Sequence, residues 1–226
     1  MLTPPFTGFG PKALDWFTGL EADNSKAYFE TTRDEWQLQV REPLERLLEE
    51  LAVDLGGTVK VFRQNRDIRF SKDKSPYKTS TYGVVHLPEG ESGLYVAISA
   101  QGLHAGSGYY QMAKDQLERY RDAVQGTDGA NLDAAVEEME AAGVELHGSA
   151  LKSAPRGVAK DHPRIRLLRM KDVLAMGRLG PAETLEARRP KDFARWVWDI
   201  SRPVMAWMDA HVGASTAPPE ARGRRP

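Results

Sequence analysis

The residues best suited to chemistry in this chain lie close together, between positions 60 and 79. This stretch contains seven Lys or Arg residues and two Asp residues, whereas the whole chain of 226 residues has a formal charge of −1. Arginine binds carboxylate and phosphate groups through paired hydrogen bonds, and each charge-assisted bond contributes roughly 1.5–3 kcal/mol. A basic stretch that also holds Asp residues to orient its cations therefore indicates a binding site for an anion.

The alternation of apolar and polar residues predicts the local structure of this stretch. Ile68 and Phe70 alternate with polar residues, which predicts a short half-buried strand over residues 66–70 followed by a turn. Because side chains of a strand alternate between its two faces, Asp67 and Arg69 would share the polar face. The same pattern is also typical of a solvated sheet edge, where lysines deter aggregation, and this alternative stays open.

The predicted elements around the stretch define the fold class. Helices are predicted at residues 11–21, at about 111–124 and 131–142, and at 190–211. A longer helical pattern begins after the capping residues 23–25 and runs to about residue 55, with a kink or break near Arg41–Pro43. Strands are predicted at about 58–62, 66–70, 82–87, 93–100, 144–147 and 173–177. The first four strands are too close together for crossover helices. We therefore expect an α+β fold, with a largely antiparallel central sheet, helices packed on it, N-terminal helices and a long C-terminal helix.

A single domain is predicted over residues 1–212, followed by a disordered tail over 213–226 that is rich in Gly, Ala and Pro.

Bulk composition restricts the class of protein. Hydrophobic residues make up 41% of the chain and charged residues 28%, which suits a soluble domain with a core. No apolar run approaches the roughly 18 residues of a membrane-spanning helix, and the N-terminus lacks the features of a secretory signal. Cysteine is absent, which excludes disulfides, thiol nucleophiles and cysteine metal sites. We expect a cytoplasmic protein that does not contact membranes.

The run from Arg66 to Thr79, RDIRFSKDKSPYKT, resembles the central signature of the DUF2461 family of uncharacterised proteins. Three other stretches resemble family motifs: FTGF at 6–9, DNSKAYF at 23–29, in which Asp23 and Tyr28 depart from the family pattern, and SAPRGVAKDHP at 153–163. The resemblance covers roughly residues 5–210. It implies a single soluble α/β-type domain without an established activity, so no catalytic residue can be transferred from the family.

Two further segments could contribute to an anion site. Gly106 and Gly108 precede a predicted helix, and a glycine loop there can bring backbone N–H groups to an anion, although a plain tight turn also explains them. His104 lies beside this loop and has a side chain that titrates near neutral pH. Residues 151–171 carry seven bases and one acid, and they include Arg156. If the two basic segments converge, they form one cationic face.

The leading hypothesis is a domain that binds a small phosphorylated or carboxylated ligand in a basic pocket. Transfer or hydrolysis at phosphate is the expected reaction if chemistry follows binding. The predicted ligand-binding residues are Arg66, Asp67, Arg69, Lys74, Tyr77, Lys78, Thr79, His104, Gly106, Gly108 and Arg156. The five histidines show no metal-binding spacing, so neither a metal site nor a cofactor is expected.

Two alternatives remain open from the sequence. The protein could be a nucleic-acid binding module in which Phe70, Tyr77 and Tyr109 stack on bases, although the net charge of −1 disfavours this function. It could instead be an interaction protein whose basic face docks an acidic partner, or the acidic helices of a second copy. Neither the oligomeric state nor the ligand follows from the sequence.

Overall fold

The computed structural model describes residues 4–181 and 185–218. The helices are α1 (Ala13–Ala22), α2 (Lys26–Thr31), α3 (Arg33–Trp36), α4 (Glu42–Leu55), α5 (Lys114–Gln125), α6 (Gly129–Ala141), α7 (Ile165–Leu168) and α8 (Arg189–His211). The strands are β1 (Thr58–Val61), β2 (Ser80–His86), β3 (Gly93–Ser99), β4 (Gly102–Tyr109), β5 (Glu145–His147) and β6 (Val173–Leu179). The six strands form one antiparallel sheet in the order β1-β2-β3-β4-β6-β5. The predicted α+β class is therefore confirmed, with N-terminal helices and a long C-terminal helix.

The residues group into two compact units. Among the described residues, unit 1 comprises 4–88, 94–105, 178–181 and 185–196, and unit 2 comprises 89–93, 106–177 and 197–218. The single domain over 1–212 stays a prediction. Of the predicted tail, residues 219–226 lie outside the described part of the chain, while Ser215 and Thr216 hydrogen-bond to the carboxylate of Asp115 within unit 2.

Local stereochemistry explains the N-terminal helices. The hydroxyl of Ser25 accepts a hydrogen bond from the Tyr28 N–H at 3.1 Å, which caps α2. A π-helical segment, Gln37–Arg41, precedes α4, and Pro43 lies in the first turn of α4, where its missing N–H costs nothing. Near Arg41–Pro43, where a kink or break was predicted, the helix changes from π to α and stays helical, and the predicted helical stretch is interrupted at Thr32, between α2 and α3. Gly56 ends α4 in the left-handed conformation, with φ of 70°.

Helix α4 covers one face of the first two strands of unit 1. Its leucines at 44, 47, 48 and 51 are fully buried, and it contacts β1 and β2. A Cβ atom at Gly83 of β2 would lie 2.4 Å from Leu48 Cδ1, so a side chain here would force the buried Leu48 to move. On the opposite face of β2, Tyr82 and Val84 are half-exposed and His86 is exposed. The candidate site lies on this second face.

Unit 2 is built around the aromatic residues of α5 and α8. Tyr120 is fully buried, and its hydroxyl donates to the Leu167 carbonyl at 3.0 Å. The indole of Trp207 packs edge-on against Tyr120 and donates to the Asp128 carbonyl at 2.9 Å. These bonds satisfy polar groups that would otherwise be buried without a partner.

Two local predictions were wrong. Residues 66–70 form no strand; they belong to a loop from Phe62 to Thr79, because their polar groups bond within the loop and not to a neighbouring strand. Gly106 and Gly108, predicted to form a glycine loop, lie in strand β4. Its glycines allow β6 to approach: a Cβ atom at Gly106 would lie 2.5 Å from the Ala175 oxygen, and one at Gly108 would lie 2.2 Å from the Val173 oxygen.

None of the helices within the described ranges is both long enough and apolar enough to cross a membrane.

Candidate functional site

The loop from Phe62 to Thr79 is anchored to the N-terminal helices through the backbone N–H and C=O of one residue, Tyr77. The Asn24 amide accepts a hydrogen bond from the Tyr77 N–H and donates one to the Tyr77 carbonyl, both at 3.1 Å. The Tyr77 ring stacks on Phe29, with centroids 4.3 Å apart and an interplanar angle of 18°, and Tyr77 is only 6% exposed. Tyr77 is thus an anchor of the loop, and its side chain does not face solvent.

A buried chain of polar side chains joins the two ends of the loop. Trp36 Nε1 donates to the Thr81 hydroxyl at 2.9 Å, and this hydroxyl donates to Gln64 Oε1 at 2.8 Å. Gln64 Nε2 donates in turn to the Lys78 carbonyl and, at 3.3 Å, to the Ser80 carbonyl. Buried polar side chains whose hydrogen bonds are all formed hold one conformation, so this network fixes the position of the Lys78 backbone at the end of the loop.

Arg66 closes the loop on itself. Its guanidinium forms an ion pair with Asp73 and donates to the Ser75 carbonyl at 3.3 Å. Hydrogen bonds from Ser75, followed by the one from Arg66, hold the pKa of Asp73 well below its usual value. The Arg66 side chain is 27% exposed, so it is largely engaged inside the loop.

Two further cations of the loop are also bound within it. Arg69 Nε lies 2.9 Å from Asp67 Oδ1, and its NH2 group lies 2.6 Å from Oδ2. These side-chain bonds, and then the Arg69 backbone N–H, lower the pKa of Asp67 to about 2. Lys74 Nζ donates to the Ile68 carbonyl at 3.0 Å. All three of these polar side chains are exposed.

Three other cations lie together without a carboxylate partner, and we call Lys60, Arg63 and Lys78 the cation group. Lys78 Nζ donates to the Arg63 carbonyl, and burial, followed by the nearby charge of Arg63, lowers the pKa of Lys78. Within the described part of the chain, neither the Arg63 guanidinium nor the Lys60 ammonium forms a hydrogen bond or an ion pair. Lys72 and Lys74 also lack a carboxylate partner in the described part of the chain, so what distinguishes the cation group is that two of its unpaired ammonium groups lie over aromatic rings.

The cation group lies beside three aromatic rings, Phe62, Tyr82 and Tyr95, which we call the aromatic row. Ring centroids of Phe62 and Tyr82 are 4.9 Å apart, and those of Tyr82 and Tyr95 are 5.5 Å apart. The ammonium of Lys60 lies over the Phe62 ring at 5.0 Å, and that of Lys78 lies over Tyr82 at 4.9 Å. All three rings are half-exposed, and burial, followed by a smaller effect of Tyr82, raises the pKa of Tyr95.

Comparison with known families accounts for the basic signature. A family model described as conserved hypothetical protein (DUF2461) matches residues 12–207. The chain belongs to the DUF2461 family. The resemblance carried by the run from Arg66 to Thr79 is thereby confirmed. Among curated proteins, none matches the chain.

The remaining predicted site residues of this DUF2461 protein lie elsewhere. Thr79 is exposed just before β2, and His104 is half-buried in β4, with β3 between these two strands in the sheet. Gly106, Gly108 and Arg156 belong to unit 2, where Arg156 is exposed. Of the eleven predicted residues, only Lys78 lies in the cation group.

Arg63 and Lys60 were not among the predicted ligand residues. No spacing in the sequence distinguishes Arg63. Asp67 lies four residues from Arg63, closer along the chain than the seven residues between Arg66 and Asp73, yet it is Arg66 and Asp73 that form an ion pair.

Other places in this DUF2461 protein are less suited to an anion or a metal. A shallow groove of about 660 Å³ in unit 1 is lined by Arg178, Leu179, Ala187, Arg188, Arg189, Asp192, Phe193 and Trp196, but Arg188 is paired with Glu50 at 3.3 Å. A recess of about 530 Å³ in unit 2 contains the buried carboxylate of Asp172. Within residues 4–181 and 185–218, no three or more His, Asp or Glu side chains are arranged to hold a metal ion.

Proposed function

We propose that this DUF2461 protein binds a small ligand that carries a phosphate or carboxylate, and that Arg63 and Lys78 bind its anionic group. The observation that carries this proposal is the position of Lys78: its half-buried ammonium group donates a hydrogen bond to the Arg63 carbonyl, and burial, followed by the charge of Arg63, lowers its pKa. Two like charges held close together repel each other, and desolvation adds to the cost. A bound anion would offset both effects.

The binding free energy available from these two cations is sufficient to hold a small anionic metabolite. Each charge-assisted hydrogen bond contributes roughly 1.5–3 kcal/mol, with the lower value for exposed groups. Lys78 has a half-buried side chain and Arg63 an exposed one. A ligand bound by both would therefore gain about 3–5 kcal/mol from these contacts, before contacts to the rest of the molecule.

Arg66, Asp67, Arg69 and Lys74 have a supporting role in this proposal, because their charges are bonded inside the loop. They hold the loop in the conformation that presents Lys78. Cations such as Arg63 and Lys78 also stabilise charge that develops on a phosphoryl group, which is the reaction expected if chemistry follows binding.

The test is a ligand panel measured by thermal unfolding and titration calorimetry at 50 and 300 mM KCl. The panel contains inorganic phosphate, sugar phosphates, nucleotides and di- and tricarboxylates. A ligand at about 100 times its dissociation constant stabilises the native state by about 2.7 kcal/mol. For a chain of this size that corresponds to roughly 5–10 °C in melting temperature.

Arg63→Gln is the decisive variant, because the Arg63 guanidinium makes no described bond whose loss would unfold the loop. We expect it to melt like the wild type without ligand and to lose at least ten-fold in affinity. Lys72→Gln is the matched control: it removes an exposed cation of the same loop and should bind normally. The absence of any shift across the panel, or full affinity in Arg63→Gln, would overturn the proposed function.

A second candidate function, docking of an acidic partner, rests on Phe70. Its ring is 96% exposed at the outer end of the loop, with Arg69 lying 6.0 Å from the ring centroid. The nucleic-acid alternative is weaker, since Tyr77 and Tyr109 are 6% and 3% exposed and cannot stack on bases. Light scattering at both salt levels tests docking to a second copy: a dimer that dissociates at 300 mM KCl and in Phe70→Ser supports it, and a monomer throughout excludes it.

A further inference from the structure

The half-exposed face of unit 1 presents aromatic rings as well as cations. The aromatic row crosses from the end of β1 through β2 to β3, and its ring centroids are 4.9 and 5.5 Å apart. Phe62 and Tyr82 are half-exposed, and both lie on the face of the sheet that α4 does not cover. Apolar rings at a half-exposed sheet face are a place where a flat group can bind.

The cations lie over ring faces and not at ring edges. Lys60 Nζ is 5.0 Å from the Phe62 centroid and Lys78 Nζ is 4.9 Å from the Tyr82 centroid. A ring face that accepts an ammonium group through its π-electrons also accepts a stacked nucleobase. Lysine side chains are flexible, so Lys60 and Lys78 can leave the faces of Phe62 and Tyr82 to contact an anion, and a base can take their positions on the rings. An anion held by the cation group is thus next to the aromatic row.

We infer that the ligand is a nucleotide, with its phosphate bound by Arg63 and Lys78 and its base stacked on Phe62 and Tyr82. This inference rests on the proposed function, because it assigns the class of the same anionic ligand. Sugar phosphates and simple carboxylates satisfy the cation group but leave the ring faces unused. An antiparallel sheet that presents aromatic rings between basic residues is a general way to bind unpaired bases.

Two sources offer the same chemistry, a free nucleotide and a nucleotide within single-stranded RNA. Stacking tolerates every base, because each has a π-face, so little base preference is expected. A strand of RNA would extend beyond one phosphate and add contacts to further cations, which makes its binding steeply dependent on salt. A free nucleotide needs only the two cations of the site.

The experiment is titration calorimetry of the full chain with AMP, ribose 5-phosphate, adenosine and the RNA oligomer r(A)8 at 50 and 300 mM KCl. We expect AMP to bind at least ten-fold more tightly than ribose 5-phosphate, which has the same phosphate and no base. Phe62→Leu should remove this preference and leave the affinity for ribose 5-phosphate unchanged. Arg63→Gln should weaken both ligands to a similar degree. Tyr110→Leu, which removes an aromatic ring that is 64% exposed in unit 2, is the matched control and should change neither affinity.

A second readout does not depend on any variant. Nuclear Overhauser contacts between the adenine protons of bound AMP and the Tyr82 ring protons are expected in the wild type. Equal affinity for AMP and ribose 5-phosphate, or a preference retained in Phe62→Leu, would overturn the nucleotide inference and leave the proposed function standing. No binding of any anion would overturn both. RNA bound more than ten-fold more tightly than AMP, with steep salt dependence, would identify RNA as the source, and comparable affinities would identify the free nucleotide.

Discussion

Replacing Asn24 tests how the site loop is held. Asn24 uses both ends of its amide on the backbone of Tyr77, accepting from its N–H and donating to its carbonyl, with two partly buried hydrogen bonds of 3.1 Å. Each such bond contributes about 0.5–1.5 kcal/mol to stability, so Asn24→Ala should lose about 1–3 kcal/mol of unfolding free energy. In a chain of this size that loss lowers the melting temperature by roughly 2–12 °C.

Matched variants separate the hydrogen bonds from other effects. Asn24→Asp keeps an acceptor for the Tyr77 N–H but places a carboxylate oxygen against the Tyr77 carbonyl oxygen, so it should be at least as unstable as Asn24→Ala. Asn131→Ala is the control: Asn131 is exposed on α6 and its side chain makes no hydrogen bond in the described part of the chain, so this change should be neutral or slightly stabilising.

Urea unfolding followed by tryptophan fluorescence measures the free energy, and hydrogen exchange of the Tyr77 amide reports on the loop itself. In Asn24→Ala we expect faster exchange at Tyr77 and weaker anion binding, because the loop that presents Lys78 is less well held. An unfolding free energy within 0.3 kcal/mol of the wild type, together with unchanged exchange at Tyr77, would refute this account of the anchor.

Three other outcomes are expected. Lys191→Met should lower the unfolding free energy, measured by urea unfolding, by about 2–3 kcal/mol. The Lys191 Nζ lies 2.9 Å from both Glu50 and Asp54, and the lysine side chain is only 9% exposed. Because both carboxylates are partly exposed, the loss stays below that of a fully buried pair. The hydrogen bond from Lys191, followed by the one from the Phe6 N–H, lowers the pKa of Glu50, so its stabilisation is present above the ordinary value of 4.5 and is lost as pH falls through the lowered value. Glu50→Gln should therefore be less stable than the wild type at pH 7 and approach it at pH 3 in urea titrations. Phe70→Ser should change the unfolding free energy by less than about 0.5 kcal/mol, since the ring is 96% exposed, and a larger loss would show that Phe70 packs in solution.

Helix boundaries in this protein follow from local rules. The Ser25 cap and the left-handed Gly56 each depend on groups within about four residues, so the sequence alone predicted where α2 begins and where α4 ends, whereas the interruption at Thr32 between α2 and α3 was not predicted. The antiparallel α+β class was also predictable, because the spacing between the first strands leaves no room for crossover helices.

Strand β4 and the loop from Phe62 to Thr79 could not be predicted from local rules. The glycines at 106 and 108 favour a turn when only their neighbours are considered, but the close backbone of β6, nearly 70 residues later, makes them necessary within a strand. Ile68 and Phe70 alternate with polar residues as in a strand, yet no neighbouring strand pairs with them, and a strand is stable only when its backbone groups find a partner.

The sequence by itself determined that residues 60–79 concentrate positive charge, because that is a property of composition. Which of these charges remain available was decided only by the tertiary structure. The loop returns on itself so that Asp73 and Asp67 neutralise Arg66 and Arg69, and Asn24 fixes this path from 53 residues away. Arg63 and Lys78 are left without a carboxylate because electrostatic pairing depends on distances in space, and residue spacing alone does not specify those distances.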